Sequence, residues 1–357
     1  MKNREDIREI LDYLQTTEEE ALVFDDEAIA ETYQKNDGTQ SLSIKILSVF
    51  GGILTSLAFW GFIAATGIYN SPAGLLIVGS IALVGAIWTN KKYDKIIIDT
   101  VTVSSFIIAF IAFGMGFYRL ETSTNMICIL FIIIAFLSMI IAKNYILSFI
   151  STLIICGSIL TLILSNKYED LIHIYVSALT LIISYFYLNE AKIITANKIV
   201  SKLYNPIKIG LIFSFIAGLV FLGIRWIDWF SPNFIWLSSV IIILTIIYLL
   251  RNLFEILSIS KTQHKVITYI IVILALLPTV FSPAISGAIL LILLSFLINY
   301  KTGFILGIIT FIYFITQYYY DLNFTLLTKS ILLFSSGVLF IILYLFTHKK
   351  LTTNEKV

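Results

Sequence analysis

The sequence predicts an all-α, polytopic transmembrane protein, and three observations carry this prediction. Of the 357 residues, 59% are hydrophobic and only 13% are charged, whereas soluble domains contain roughly 25% charged residues. From Ile46 onward, apolar stretches alternate with short polar breaks, and each is close to the roughly 20 residues that cross a bilayer as a helix. Acidic and basic residues are also distributed unevenly along the chain. We therefore expect about twelve helical spans.

The charge distribution divides the chain into a tail and a membrane domain. Residues 1–44 contain twelve acidic and four basic side chains, whereas residues 45–357 contain ten acidic and twenty basic ones. The first segment contains no apolar run behind a basic start, so no cleavable signal peptide is expected. We predict a short cytoplasmic helical tail over 1–44, a transmembrane helical domain over 45–348 and a cytoplasmic C-terminal tail over 349–357.

The apolar stretches place the individual spans in order along the chain. Continuous apolar runs without a polar face are typical of helices surrounded by lipid and by other helices. Strands of outer-membrane barrels instead alternate with a period of two residues, which these runs do not. The predicted spans are 46–68, 72–89, 96–117, 126–142, 145–165, 171–188, 208–227, 233–250, 264–280, 284–300, 302–320 and 325–346.

The basic residues predict the orientation of these spans. With the tail inside, twenty Lys and Arg residues lie on the inner side, while Arg119, Lys167 and Arg225 lie on the outer side. Cytoplasmic loops carry an excess of Lys and Arg. The distribution therefore predicts that both termini are cytoplasmic.

Serine–proline pairs precede three of the predicted spans: Ser71-Pro72, Ser231-Pro232 and Ser282-Pro283. A serine can accept hydrogen bonds from the free N–H groups of a first turn, and proline at the first helical position loses no hydrogen bond. The recurrence is consistent with duplicated helical hairpins, or simply with a favourable way to begin a helix.

Glycines within the spans predict close contacts between helices, because small residues let two backbones approach. The positions concerned are Gly51 with Gly52, Gly114 with Gly116, and Gly303 with Gly307.

Two ionisable residues within the predicted spans are candidates for a functional role. Asp99 lies near the inner end of span three, and Lys329 lies near the outer end of span twelve. Such residues are costly in a bilayer unless they are paired or hydrated. Asp99 could instead cap its own helix, and Lys329 could reach Asp321 or extend to the headgroups. Both functional and structural interpretations stay open.

The remaining reactive residue types favour packing over chemistry. His173 is interpreted as a polar packing residue whose hydrogen bonds are satisfied, and Cys128 and Cys156 as small apolar fillers. No HExxH, GxSxG, P-loop or GxGxxG motif is present, and these are the motifs that mark common catalytic and nucleotide sites. We expect no enzymatic activity, no cofactor and no metal site.

The segment from Tyr319 to Ser330, followed by Leu333 and Gly337, resembles the ending of one bacterial family. This family, the domain of unknown function 4401 type, has a YYxLxxTLLxKSxxLxxxG-like ending, and Thr325, Lys329, Ser330 and Gly337 match it. The acidic tail leading into Val49–Gly52 is similar to the family's beginning. The resemblance implies a multi-span inner-membrane protein without assigned catalytic residues. It also implies a possible partner, a membrane-anchored GDYxxLxY-motif protein whose gene often lies nearby.

Two functional hypotheses follow. The first is a non-enzymatic envelope assembly or partner-binding protein whose outer rim uses Asp321, Thr325, Lys329 and Ser330. The second is a transporter or lipid-handling permease for an uncharged or lipid-like substrate. Both place the protein in contact with the lipid bilayer, and neither involves nucleic acid.

Overall fold

The computed structural model describes residues 42–92, 96–142, 144–223, 232–256 and 262–321, with single positions between 325 and 341. The predicted tail as far as residue 41 and the C-terminal segment 349–357 lie outside the described residues. The extents of the three predicted domains therefore stay predictions.

The described regular structure is entirely helical, as expected from the continuous apolar runs. Two short 3₁₀ helices, Ile68–Asn70 and Leu277–Phe281, accompany the α-helices. The α-helices are α1 (Leu42–Thr66), α2 (Pro72–Lys92), α3 (Ile96–Arg119), α4 (Thr124–Ala142), α5 (Tyr145–Ser165), α6 (Leu171–Leu188), α7 (Glu190–Ala196), α8 (Lys198–Gly223), α9 (Trp236–Ile256), α10 (Thr262–Leu276), α11 (Pro283–Leu297) and α12 (Lys301–Asp321).

Nine of the described helices are long and apolar enough to cross a membrane, by length and composition. The stretches Phe50–Thr66 and Pro283–Leu297 are shorter apolar helices. The prediction of an all-helical fold with long apolar helices is thereby confirmed, while the number of spans and their orientation stay predictions. Span twelve falls mostly outside the described residues.

The largest difference from the predicted spans concerns span seven, which was predicted to begin at 208. The helix begins at Lys198 and contains Pro206 in its interior. Proline has no N–H to donate to the carbonyl four residues earlier, yet the helix continues through this position. Leu203 and Tyr204, which precede the proline, are both buried. Lys208 consequently lies within the helix.

The serine–proline pairs begin helices at two of the three predicted places. Pro72 begins α2, and Ser71 Oγ accepts a hydrogen bond from the Gly74 N–H at 3.1 Å. Pro283 begins α11, but the Ser282 side chain makes no capping hydrogen bond. The third prediction is wrong, because α9 begins at Trp236 rather than at Pro232. The described chain from Pro232 to Ile235 is a bend and turn.

The chain forms two compact units that divide between Ile154 and Ile155, inside α5. In the first unit, α3 is the central helix and packs against both α1 and α2. Its side chains Val103, Phe106 and Ala109 are completely buried, at the spacing of one helix face. The surrounding α2 and α4 expose most of their surfaces, as expected for helices that contact lipid.

In the second unit, α6, α8, α9 and α11 enclose one apolar core, and α12 packs along α11. Each core helix contributes residues three or four positions apart, the spacing of one helix face. The contributing residues include Ile172, Val176, Leu179 and Ile183 of α6, Ile212, Phe215 and Leu219 of α8, Ile242, Ile246 and Leu249 of α9, and Ala288, Leu291 and Leu294 of α11. The second half of α5 adds Cys156, Leu160 and Ile163.

The predicted glycine contacts are confirmed. A Cβ added at Gly52 would lie 2.6 Å from Val103 Cγ1, so α1 and α3 are in close contact there. A Cβ at Gly116 would lie 2.9 Å from a Leu76 methyl group. At Gly307 the nearest atoms include the backbone N of Ile292, at 3.0 Å. Because backbone cannot move aside as a side chain can, α11 and α12 depend on a residue without a side chain at 307.

Gly307→Ala is therefore expected to lower the free energy of unfolding by about 1–3 kcal/mol, the usual cost of overpacking a core. The measurement is unfolding of the purified protein in detergent. Gly157→Ala is the matched control, because nothing lies within 4 Å of a Cβ at that helical position. It should be neutral or stabilising by about 0.5–1 kcal/mol. Equal stabilities of the two variants would contradict the close contact.

Candidate functional site

A buried lysine in the second unit is the most distinctive polar feature of the described chain. The Lys208 side chain is only 3% exposed, and its Nζ lies 3.5 Å from Oε1 of Glu190, whose side chain is 33% exposed. A buried ammonium group is costly unless it is paired. Glu190 provides that pairing while keeping contact with the surroundings.

Three tyrosine rings surround the same ammonium group. Lys208 Nζ lies 4.2 Å from the ring centroid of Tyr300, 4.7 Å from that of Tyr204 and 5.6 Å from that of Tyr187. A cation within about 6 Å of an aromatic face is attracted by the ring quadrupole, by about 2 kcal/mol when the cation is desolvated. We call Lys208, Glu190, Tyr187, Tyr204 and Tyr300 the tyrosine box.

Local structure explains how residues distant in sequence meet in this box. Tyr204 and Lys208 are four residues apart on α8 and so share one face. Tyr187 lies near the end of α6, and Glu190 begins α7 directly after Asn189, the single residue between the two helices. Tyr300 lies in the tight turn between α11 and α12, where its N–H donates to the Ser295 carbonyl at 2.8 Å.

The positions of the tyrosines are fixed by further contacts. The Tyr204 hydroxyl donates to the Phe186 carbonyl at 2.9 Å, and the two rings stack at 5.8 Å between centroids. The turn that carries Tyr300 places Asn299 at a φ of 53°, a left-handed conformation that asparagine tolerates better than most residues.

Gly303 brings α12 close to this box. A Cβ at this position would lie 2.5 Å from Ser295 Oγ and 2.9 Å from the Tyr187 hydroxyl. This agrees with the contact predicted for Gly303. The box is thus closely packed around Lys208, so the five side chains join α6, α7, α8 and the α11–α12 turn at one end of the second unit.

Sequence reasoning missed this site, although Lys208 is one of the twenty Lys and Arg residues predicted on the inner side. The residue was placed at the inner end of predicted span seven, which begins at 208, and a lysine there needs no partner. One signal was present: Leu203, Ile207 and Leu211 continue the helical spacing across Pro206. Nothing in the sequence pairs Lys208 with Glu190 or Tyr300, because that contact arises only when the helices pack.

A second polar cluster lies at the other end of α6. His173 is 1% exposed. Its Nε2 donates to the Asn233 carbonyl at 2.7 Å, which leaves Nδ1 of the neutral ring to accept from the Ser238 hydroxyl at 3.0 Å. The Asn233 N–H donates to Asp170 Oδ1 at 2.8 Å. The interpretation of His173 as a satisfied packing residue is confirmed, and the cluster joins α6 to the start of α9.

A third polar feature lies where α12 ends. The Gln317 side-chain amide donates to the Gly223 carbonyl at 2.9 Å, while its Oε1 is buried without a hydrogen-bond partner. Asp321 lies beside it, half-buried, in the lining of a cavity of about 20 Å³. A cavity of that size holds one water molecule.

The other predicted site residues are placed as follows. Thr325 is exposed, and its Oγ1 accepts from the Thr328 N–H at 3.3 Å, so it caps the following turn as expected of a helix start. Ser330 is exposed. Asp99 belongs to α3, but its side chain and all of Lys329 lie outside the described residues. Within the described part of the chain, no hydrogen bond joins Asp321 to Thr325, whose hydroxyl bonds to Thr328 instead.

The predicted role of both cysteines as apolar fillers agrees with their surroundings. Cys128 and Cys156 are free thiols that are 5% and 6% exposed. Among the residues that the structure describes, no group of three or more His, Cys, Asp or Glu side chains is arranged to hold a metal ion.

Long apolar helices joined by short polar segments, with charged groups paired within the packing, define a helical membrane protein. The chain belongs to the family described as Domain of unknown function (DUF4401), whose sequence profile matches residues 41–350. No curated protein and no solved structure matches the chain.

The tyrosine box predicts an asymmetric response to neutralising its two charges. Glu190→Gln leaves a buried ammonium group without its carboxylate, and we expect a loss of about 2–3 kcal/mol in the free energy of unfolding. Lys208→Met fills a similar volume and leaves Glu190 partly hydrated, so about 1 kcal/mol or less is expected. Unfolding of the purified variants in detergent measures both values.

The control is Glu255→Gln, which breaks the exposed pair of Arg251 and Glu255, 3.7 Å apart and 76% and 69% exposed. A loss below about 0.5 kcal/mol is expected there. The Glu190→Gln/Lys208→Met double variant should be less destabilised than the sum of the single changes. Additive losses would contradict a direct interaction.

Proposed function

We propose that the chain is a non-enzymatic, multi-pass inner-membrane protein that binds another envelope protein through the segment after α12. The observation that carries the proposal is exposure: every residue described from 325 to 341 is exposed. The large apolar side chains among them are Leu327, Ile331, Phe334, Val338 and Ile341, between 41% and 75% exposed. They recur at alternating intervals of four and three residues.

This spacing is the one with which one helix packs along another. Lipid alone would also accept an exposed apolar face, but lipid contact does not call for small and polar residues. Ser330, Ser335 and Gly337 lie in the same exposed segment, and nothing lies within 4 Å of a Cβ added at Gly337. Small residues and hydroxyls are typical of contacts between membrane helices. The composition therefore favours a partner helix.

Charge and orientation support an outer location for this surface. The excess of basic residues on one side favours twelve spans with both termini in the cytoplasm. In that arrangement α12 ends at the outer face, and Tyr318, Tyr320 and Asp321 lie at the level of the headgroups. Asp321 and Lys329 would then offer opposite charges to a partner at the rim.

The proposed partner is the membrane-anchored GDYxxLxY-motif protein implied by the family resemblance. Its anchoring segment would pack against the exposed helix face, and its outer part would meet the rim of Asp321, Thr325, Lys329 and Ser330. This role requires complementary surfaces rather than reaction chemistry, so no catalytic residue, cofactor or metal is assigned.

A second candidate function, a permease for an uncharged or lipid-like substrate, is favoured by the tyrosine box. Ionisable residues buried within membrane helices commonly mark pathways for substrates or ions. A carrier would have to open the contact of Lys208 with Glu190 to admit a substrate at the end of the second unit where the tyrosine box lies. Neutralising both charges should then change the lipid composition of the membrane or the flux of a substrate while leaving partner recovery unchanged.

The leading proposal predicts that Lys329→Ala and Phe334→Ser reduce recovery of the GDYxxLxY-motif protein when the two proteins are co-expressed. The tagged full-length chain is purified from membranes, and the partner is quantified per mole of chain. A fivefold or larger loss is expected from removing one charge or one apolar anchor at an interface, about 1 kcal/mol or more.

Lys301→Ala is the matched control, because Lys301 begins α12 at its opposite end. Recovery with this control should equal that of the unaltered chain. The proposal would be contradicted if Lys329→Ala and Phe334→Ser recovered as much partner as Lys301→Ala, at equal amounts of chain in the membrane.

A further inference from the structure

An open groove in the first unit is lined by residues from the ends of three helical segments. Its volume is about 510 Å³, within the range of about 300–1,000 Å³ that is usual for small-molecule sites. The lining residues are Tyr69, Gly114, Met115, Tyr118, Arg119, Thr124 and Ile127. Neither the tyrosine box nor the proposed partner surface includes any of them.

The charged group of this groove is held by an aromatic ring. The Arg119 guanidinium carbon lies 4.3 Å from the centroid of the Tyr69 ring, a contact typical of cation–π pairs. Arg119 itself is exposed, and no ion pair of Arg119 occurs within the described part of the chain. Its planar set of N–H donors is therefore oriented but not neutralised, and this geometry suits a phosphate or carboxylate.

Backbone hydrogen bonds hold the chain around Arg119 in place. The Thr122 N–H donates to the Phe117 carbonyl at 3.1 Å, and the Glu121 N–H donates to the Tyr118 carbonyl at 3.0 Å. Together with a φ of 56° at Glu121, two residues after Arg119, these bonds form the Schellman motif that ends α3. Tyr69 is held in turn by the 3₁₀ helix Ile68–Asn70.

The polarity of the groove changes with depth. Arg119, Tyr118 and Thr124 lie at the ends of two candidate membrane spans, Thr100–Arg119 and Thr124–Ala142. Met115 is one helical turn inside α3 and Ile127 about one turn inside α4, roughly 5–6 Å deeper along each axis. A ligand that fills the groove must therefore carry negative charge at the helix ends and hydrocarbon toward the interior.

We infer that this groove binds the headgroup of an anionic phospholipid. The phosphate accepts hydrogen bonds from the Arg119 guanidinium beside the Tyr69 ring, and the upper acyl chain lies along Met115 and Ile127. An acidic peptide would match the charge but not the apolar depth, and inorganic phosphate would leave that depth empty. The inference is independent of partner binding at the segment after α12.

The test is native mass spectrometry of the purified full-length chain, titrated with phosphatidylglycerol and with phosphatidylcholine of the same acyl chains. The unaltered chain should retain phosphatidylglycerol in preference to phosphatidylcholine. Arg119→Gln should weaken phosphatidylglycerol binding about tenfold, the usual effect of one charge-assisted hydrogen bond. Arg251→Gln is the control, since Arg251 is an exposed arginine outside the groove, and it should bind as the unaltered chain does.

A second variant tests the apolar depth separately. Met115→Trp keeps Arg119 but fills the lower groove, and it should weaken phosphatidylglycerol binding several-fold. If Arg119→Gln does not fold, Met115→Trp tests the site: weaker phosphatidylglycerol binding supports the inference, and unchanged phosphatidylglycerol binding overturns it.

Three further results would overturn the inference. The first is equal binding of both lipids by the unaltered chain. The second is unchanged phosphatidylglycerol binding by Arg119→Gln. The third is complete displacement of the lipid by inorganic phosphate, which would show a site for free anions only.

Discussion

The absence of water from the interior of a bilayer is the constraint on which the rest of this structure depends. Backbone N–H and C=O groups that find no water must bond to each other within the same segment, and a helix achieves this locally. The long apolar helices follow from that requirement. It also confines charged and strongly polar side chains to the helix ends or to arrangements in which each charge has a partner.

The second unit shows how this requirement is met at both ends of one helical core. At one end, Lys208 is buried against Glu190 and three tyrosines. At the other, His173, Ser238 and the Asn233 carbonyl satisfy one another. Such contacts are specific in direction and distance, whereas the apolar core between them is not. They consequently determine which helix ends lie together, and an apolar core alone would tolerate other arrangements.

Much of the fold could be predicted because the apolar runs and their breaks report directly on helix length. The span predicted over 171–188 coincides with α6, and the glycine contacts at Gly52, Gly116 and Gly307 were correctly anticipated. The predictions were wrong where packing overrides local signals. The segment 198–207 was predicted to lie outside span seven but belongs to α8, and Pro232 suggested a helix start but precedes a turn. A proline removes one backbone hydrogen bond. Whether a helix continues through the proline or begins at it depends on how the neighbouring helices pack.

The sequence by itself determined that this is a helical membrane protein, approximately where its helices run, and which glycines allow them to approach. Tertiary structure alone decided which of the many apolar residues face the core, because nearly uniform apolar runs carry no information about the buried side. It also decided which charges meet. Lys208 and Glu190 are distant from Tyr300 in sequence, and Arg119 is distant from Tyr69. These pairs exist only because packed helices bring groups together that the bilayer would otherwise penalise.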